Sequence, residues 1–487
     1  MKQLSGLDAS FLYMETPTTF GHVSGLGIYE RPSAEFSPYD EVHARFNALI
    51  GSIEPLRRRL APVPFGLDHP YWIDDPDFDL DYHVRHLGLP PPGSAHQLSE
   101  QVARIFGRAL DRTRPLWEVY VIEGLQDDRW ALMTKFHHAT VDGAAGVIML
   151  NMLTDTDPDR AGHPDATEWD PDRVPSDAEL LRLTAESFAR NPMKGLKAQL
   201  RIAQTAAEAV GIPVVAEATA SVRSSVRRAI RRNIAPRPDN ERRVRFPVSP
   251  APPTPWNRSI TAHRRFAMRS ASIDDIKSLK NKIGGTVNDV VMAICTGALR
   301  EYLIAHDSLP DRPLRAMVPV SIRTGNEDDP WTNRVSAIVA DLPTNCPDPV
   351  ARVRLCQAAM EDAKRQFDLI PADVIMEGSR ATSPIVATAA VRLASRLRLA
   401  NRFNTPVNVV ISNVPGPRSP LYFAGARLEN YVPLSIVTDG MGLNITVHSY
   451  LDRLDFGLIA CRELVPDLDD LVDMHLREMQ RISDAFD

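Results

Sequence analysis

Lysine is nearly missing from this 487-residue chain: 8 lysines stand against 48 arginines among its 56 basic residues. The bias is of the kind a GC-rich coding genome produces and says nothing about function. No strong excess of one charge is present either. The net charge of −6 argues against a nucleic-acid partner. Cysteine is scarce, and Cys295, Cys346, Cys356 and Cys461 form no C-x-x-C pair and no zinc-ligand spacing. They read as four free thiols in a reducing compartment, and no metal site is expected. No stretch reaches the ~18 apolar residues that a bilayer span requires. The opening MKQLSGLDASFLYMETP lacks the apolar run of a signal peptide. The chain is therefore expected to be cytoplasmic and to meet any lipid substrate peripherally, at a membrane or lipid-droplet surface. Also missing are a G-x-S-x-G elbow, an H-E-x-x-H helix and a G-x-x-x-x-G-K-[ST] loop. A covalent serine hydrolase, a zinc hydrolase and a P-loop NTPase are disfavoured together.

What is present is globular in composition, with 44% hydrophobic and 24% charged residues. The length exceeds that of one ordinary core. Three zones follow one another. Residues 1–155 alternate strands (His22–Tyr29, Leu116–Ile122, Trp130–His138) with helices (Ala95–Leu110, Gly143–Leu153). Residues 156–256 open on a polar Pro/Asp-rich stretch and continue with helical patterns at Ala178–Arg190 and Met193–Val210. An arginine-rich run over 223–245 and the proline-rich VSPAPPTPW then close the zone. The arginine run reads either as a solvated linker or as a contact to anionic lipid or to the phosphates of a ligand. Residues 257–487 return to alternation. Helices are expected at Ile273–Lys282, Val290–Ala305, Pro349–Phe367, Pro384–Leu399 and Asp467–Phe486. Strands are expected at Leu314–Val320, Asn333–Asp341, Val407–Ser412, Leu443–Tyr450 and Leu454–Cys461. The outer zones read as two similarly built α/β halves joined by the middle one.

The strongest local feature is FHHATVDGAAG at 136–146. Strand alternation sends His137 and His138 to opposite faces, so one of the two can point into a given site. His138 shares its face with Leu132, Thr134 and Phe136. A neutral imidazole there can take the proton of an attacking hydroxyl, because its pKa lies near working pH. His137 is left between packing and support of its neighbour. Asp142 has a structural task open to it, capping the helix that follows. Its carboxylate also needs a counter-charge, for which Arg323 is the candidate. Gly143 is expected to allow a sharp exit into that helix. With the covalent nucleophile motifs missing, direct transfer remains: a base activates an alcohol, which attacks an acyl donor that is already activated.

FHHATVDG resembles the HHxxxDG signature of coenzyme A-dependent, chloramphenicol acetyltransferase-like acyltransferases. Further segments are similar to one branch, the wax ester synthase/acyl-CoA:diacylglycerol acyltransferase family. They are LSGLDASFLYMET at 4–16, RPLWEVYVIEGL at 114–125, TVNDVVMAICTGALREYL at 286–303 and MVPVSIR at 317–323. NRVSAIVADLPT at 333–344, VVISNVPGP at 409–417 and LNITVHSYLDRLDFGL at 443–458 complete the set. The resemblance runs through both outer zones and largely skips the middle. It implies two chloramphenicol acetyltransferase-like domains of mixed sheet and helices with a channel between them. Acyl-CoA would enter from one side and the lipid alcohol from the other. It further implies transfer to diacylglycerol, a long-chain alcohol or another lipid alcohol, with no metal or prosthetic group. A condensation-domain role fits less well, since no carrier domain is attached. A non-catalytic lipid-binding protein on the same fold is the alternative of another class.

By the same resemblance His138 is the general base, and Asn288 and Asp289 form an Asn-Asp pair that supports the site. Pro115, Leu116 and Trp117 would line the acyl region. Read from the residues alone, Asn288 could equally cap the helix at Val290–Ala305, and Trp117 reads as core more readily than as a ligand contact. Ser412 and Asn413 lead into a Pro/Gly turn that could line the substrate path or be a plain turn. The chain reads DFGLI at 455–459 where the broader superfamily tends to have DFGWG, which weakens any analogy about that loop.

Overall fold

A computed structural model describes residues 1–159, 163–190, 250–323, 331–368 and 384–487. The helical pattern at Met193–Val210 and the arginine run at 223–245 lie outside the described residues. The first zone holds β1 (Lys2–Gln3), α1 (Gly6–Tyr13), β2 (His22–Glu30), α2 (Pro38–Leu49), α3 (Glu54–Arg57), β3 (Arg58–Ala61) and β4 (Tyr71–Asp74). It continues with α4 (Leu80–His83), β5 (Val84–Gly88), α5 (Ala95–Phe106), β6 (Trp117–Glu123), β7 (Arg129–His137) and α6 (Gly143–Leu153). The middle zone contributes α7 (Asp177–Arg190). The last zone holds β8 (Arg264–Ser272), α8 (Ile273–Ile283), α9 (Val287–Ala305), β9 (Leu314–Ser321), β10 (Val335–Leu342), α10 (Pro349–Asp368) and α11 (Pro384–Arg396). It ends with β11 (Val409–Pro415), β12 (Tyr422–Phe423), β13 (Ala426–Leu434), β14 (Leu443–Tyr450), β15 (Arg453–Cys461) and α12 (Leu468–Phe486).

The strands form two mixed sheets of six, as the α/β reading expects. One has the order β10-β9-β11-β14-β15-β8, the other β12-β13-β2-β7-β6-β5. A small third sheet, β1-β4-β3, flanks the first half. The zones of the chain are not the zones of the fold. β12 and β13 come from the last zone yet complete the first sheet, with Leu428 opposite Tyr29 and Leu434 opposite Ser24. Asp455 ties this arrangement together. It is fully buried on β15 and accepts hydrogen bonds from Ser270 Oγ on β8 (2.5 Å) and from Asn430 Nδ2 (2.9 Å) and Tyr431 N (3.2 Å) on β13.

Two boundaries also move. The polar stretch after residue 156, expected as a linker, is strapped onto the first half. Asp74 N donates to Asp172 Oδ2 (3.0 Å), and Trp169 meets Phe78 edge-on with ring centroids 6.3 Å apart. Trp256, placed at the end of the middle zone, is fully buried in the core of the second half. Its indole N–H donates to Asn408 O (3.0 Å), as a buried Trp requires.

Helix starts follow their caps. At α5, Ser94 and Gln97 bond each other's backbone N–H in a capping box. At α9 the same device, Thr286 with Asp289, starts the helix three residues before the expected Val290. Asn288 is therefore inside the first turn and is not a cap. Among the described residues, no helix is long and apolar enough to cross a membrane.

Candidate active site

β7 carries the reacting segment to the seam between the halves. It pairs with β2 from His22↔His137 to Glu30↔Arg129. Alternation along it puts Leu132, Thr134 and Phe136 into the wall of a cavity of about 520 Å³, and His138 follows them just past the end of the strand. β13, in the same sheet, extends this wall through Tyr431, Pro433 and Leu434, and the second half contributes through β9, β10, β11 and β14. Aliphatic side chains dominate the lining, among them Val141, Ile148, Leu150, Leu153, Val335 and Leu434.

Three contacts hold the His138 ring. Its backbone N–H donates to Gly21 O at 2.7 Å. Phe11 of α1 stacks on it, centroids 4.0 Å apart and planes 11° from parallel. Its Nδ1 lies 3.0 Å from Asn333 Oδ1. The last contact fixes the tautomer. Asn333 Nδ2 is 2.6 Å from both the His138 carbonyl and Asp8 Oδ1, and a carbonyl can only accept. The amide is thereby oriented with its oxygen toward the ring, so Nδ1 carries the proton. Nε2 keeps its lone pair. Burial pushes the pKa of His138 below the usual histidine value, which favours the neutral form.

Asp8 belongs to the same arrangement. It is buried, burial pushes its pKa up, and it accepts from Ser5 Oγ (2.6 Å) as well as from Asn333. Neither Asp8, Phe11 nor Asn333 stands out in sequence. A neutral amide and an aromatic carry no charge signature, although all three lie inside segments with the family resemblance. Replacing Asn333 with Leu is expected to free Nδ1 and the ring orientation. That should lower kcat by about a hundredfold, the scale of a misplaced catalytic group. KM for the acyl donor should hardly change, and steady-state kinetics check both.

His137 points the other way, as alternation requires. It is buried, its Nδ1 accepts from Ala139 N (3.0 Å), and its Nε2 faces Glu15 Oε1 at 3.3 Å. Burial pushes Glu15 up. The hydrogen bond to His137, the Arg112 guanidinium and the Gly21 N–H outweigh this and hold it at about 2. His137 therefore braces the turn. A side chain at Gly21 would place its Cβ 2.7 Å from His137 Nε2, so the approach of this loop depends on glycine.

Asp142 caps α6 by accepting from Ala145 N (2.8 Å). It also accepts from Arg334 N (3.0 Å) and faces Arg323 Nη2 at 2.8 and 2.9 Å. Both carboxylate oxygens are engaged twice, so Asp142 fastens the first half to the segments that follow β9 and precede β10 in the second. Gly143 opens α6 and lines the cavity, but its φ is not in the left-handed region, and a Cβ there would meet only Val414 at 3.8 Å. The sharp exit expected of it is not what the backbone uses; its small size leaves room in the cavity instead.

Ser412 and Asn413, on β11, line the cavity. Asn413 Nδ2 is 3.5 Å from Asn288 Oδ1, so Asn288 supports the wall from behind while Asp289 is spent on the capping box. Pro115, Leu116 and Trp117 do not line the cavity, contrary to expectation. Leu116 is buried among Leu4, Leu12, Trp72 and Ala139. Trp117 is buried between stacked His83 (4.3 Å) and Phe46 (5.3 Å), with its N–H on Leu56 O at 2.7 Å. An indole with its one donor satisfied inside a packed core is a structural residue.

His448 was not foreseen. It lines the cavity from β14, fully buried, and both ring nitrogens lack a partner among the described residues. Burial lowers its pKa to about 4, so it is neutral. Its one N–H can serve a polar atom of a bound molecule. The alternation Asn444, Thr446, His448 is an unusual polar row in an apolar strand, and that was the available signal.

A histidine with a free Nε2, a fixed ring and an apolar cavity between two halves is suited to deprotonating an alcohol beside a long acyl chain. Comparison with known proteins agrees. The wax ester synthase/diacylglycerol acyltransferase catalytic domain matches residues 4–291, and the C-terminal domain of the same family matches residues 331–483. The chain is 34% identical to the O-acyltransferase WSD of Acinetobacter baylyi over 98% of its own length and 96% of that protein. It is 35% identical to the probable diacylglycerol O-acyltransferase tgs2 of Mycobacterium tuberculosis, over 96% of its length and 95% of the relative's. Among solved structures, the wax ester synthase/diacylglycerol acyltransferase from Marinobacter aquaeolei VT8 superposes with a TM-score of 0.68 at 30% identity, covering 99% of this chain and 100% of that one. The chain belongs to the wax ester synthase/diacylglycerol acyltransferase family.

Proposed function

We propose that this acyltransferase moves a fatty acyl group from acyl-CoA to the free hydroxyl of diacylglycerol in one direct step. The observation that carries the reading is the unprotonated Nε2 of His138 in the wall of an apolar cavity shared by both halves. Nε2 takes the acceptor's hydroxyl proton as the oxygen attacks the thioester carbonyl. The tetrahedral adduct collapses, the carbon–sulfur bond breaks, and the leaving thiolate takes the proton back from the imidazolium. An ester and free coenzyme A result, and no acyl group is carried on the protein. The thioester supplies its own activation, so the step calls for no metal or prosthetic group.

The diacylglycerol assignment is supported by the name of the mycobacterial relative. Wax ester synthesis from a long-chain alcohol is the second reading, favoured by the Marinobacter protein, whose name joins both activities. Release of coenzyme A thiol from palmitoyl-CoA is the test, with diacylglycerol, with hexadecanol and without acceptor. Faster release with diacylglycerol supports the first reading, and faster release with hexadecanol the second. Folded protein that binds lipid but releases thiol with neither would be a lipid-binding protein on this fold.

A further inference from the structure

The segment formed by α11 and the turn after it contrasts with the rest of the surface. Leu393, Leu397 and Phe403 are 56%, 50% and 67% exposed, three of the few large apolar side chains left in solvent, and they fall within eleven residues. Leu393 and Leu397 are one helical turn apart and share a face. Arg392, Arg396, Arg398 and Arg402 are interleaved with them, all exposed, and none forms an ion pair with a described residue. No Asp or Glu occurs from 378 to 428, in a chain whose net charge is −6. An amphipathic element with exposed leucine and phenylalanine set among exposed arginines suits the boundary between anionic headgroups and acyl chains.

Its position gives the face a use. α11 packs against α1. α1 in turn supplies Phe11, stacked on His138, and Asp8, which holds Asn333. A surface seated on α11 is therefore one helix away from the catalytic ring.

We propose that α11 and the turn through Phe403 dock the protein on an anionic lipid surface and bring the lipid-dissolved acceptor to the side of the molecule where α1 backs the His138 ring. The inference rests on acylation of a lipid acceptor. Leucine and phenylalanine enter the acyl-chain region, and the four arginines meet lipid phosphates. Docking is then weakened by salt and by removing anionic lipid, because exposed charges are screened.

The test uses the full chain and flotation with phosphatidylcholine vesicles, with and without phosphatidylglycerol, carrying dioleoylglycerol. Wild type should float with the anionic vesicles, less so at high salt. The Leu393→Ser/Leu397→Ser/Phe403→Ser variant should bind about tenfold less and acylate vesicle-borne dioleoylglycerol correspondingly more slowly. Its thiol release with dissolved 1-hexanol should match wild type, which shows that the fold and His138 are intact. Arg392→Gln/Arg396→Gln/Arg398→Gln/Arg402→Gln should abolish the preference for anionic vesicles. Vesicle binding by the Ser variant equal to that of wild type, or wild type that does not float at all, would overturn the proposal. Binding that depends on these residues, in a protein that acylates neither acceptor, would keep the docking surface and remove the proposed activity.

Discussion

Replacing His138 with Ala should lower kcat by about 10²- to 10⁴-fold, the range a positioned general base supplies. The ring is held with its Nε2 lone pair unshared: Nδ1 is committed to Asn333 and the ring face to Phe11. Its pH dependence has a fixed sign. The imidazole must be neutral to accept the hydroxyl proton, so activity falls as pH drops through its pKa. Burial lowers that pKa, which moves the acid limb of kcat/KM below the ~6.5 of a free imidazole. A profile of wild type from pH 4.5 to 8 reads the limb directly. A limb above 6.5, or an alanine variant within threefold of wild type, would show that another group takes the proton.

Asp142→Ala should cost stability as well as rate. The carboxylate is nearly fully buried and balances Arg323, itself largely buried, across the seam. Removing one partner of such a pair leaves an uncompensated charge, which costs about 3–5 kcal/mol. The lost cap of α6 adds about 1 kcal/mol. Arg323→Met should be damaging in wild type and add little once Asp142 is already Ala. Denaturant midpoints for the two single variants and the double variant give the coupling. Additive effects would mean that the two side chains act independently. Activity should fall with stability, because Asp142 also fixes Arg334 at the entrance to β10.

The elements legible in sequence were those with a clean local period. β7, α6, α9 and β15 fall within about three residues of their expected bounds, because apolar repeats and small-residue runs marked them. β13 was missed. ARLENYVPL carries a glutamate, an asparagine and a proline, and its partner β2 is some 400 residues away. Nothing local reports such a pairing. At the site, the histidines were legible through motif and alternation together. Trp117 misled because its segment resembles the family pattern while its indole serves the core. Asn333 was invisible because its importance lies in two carbonyl-type acceptors that only the folded chain brings to it.

The borrowed strand constrains how this protein is made. β2 and β7 emerge from the ribosome early, yet the edge of β2 has no partner until residues 426–434 follow. For most of synthesis the first half therefore carries an open, apolar sheet edge, the kind of surface that invites aggregation. The cavity wall containing His138 likewise stays incomplete until then. A truncated chain ending before β13 would consequently be a different physical object from a shortened enzyme. It would be a nascent chain frozen at its most vulnerable moment.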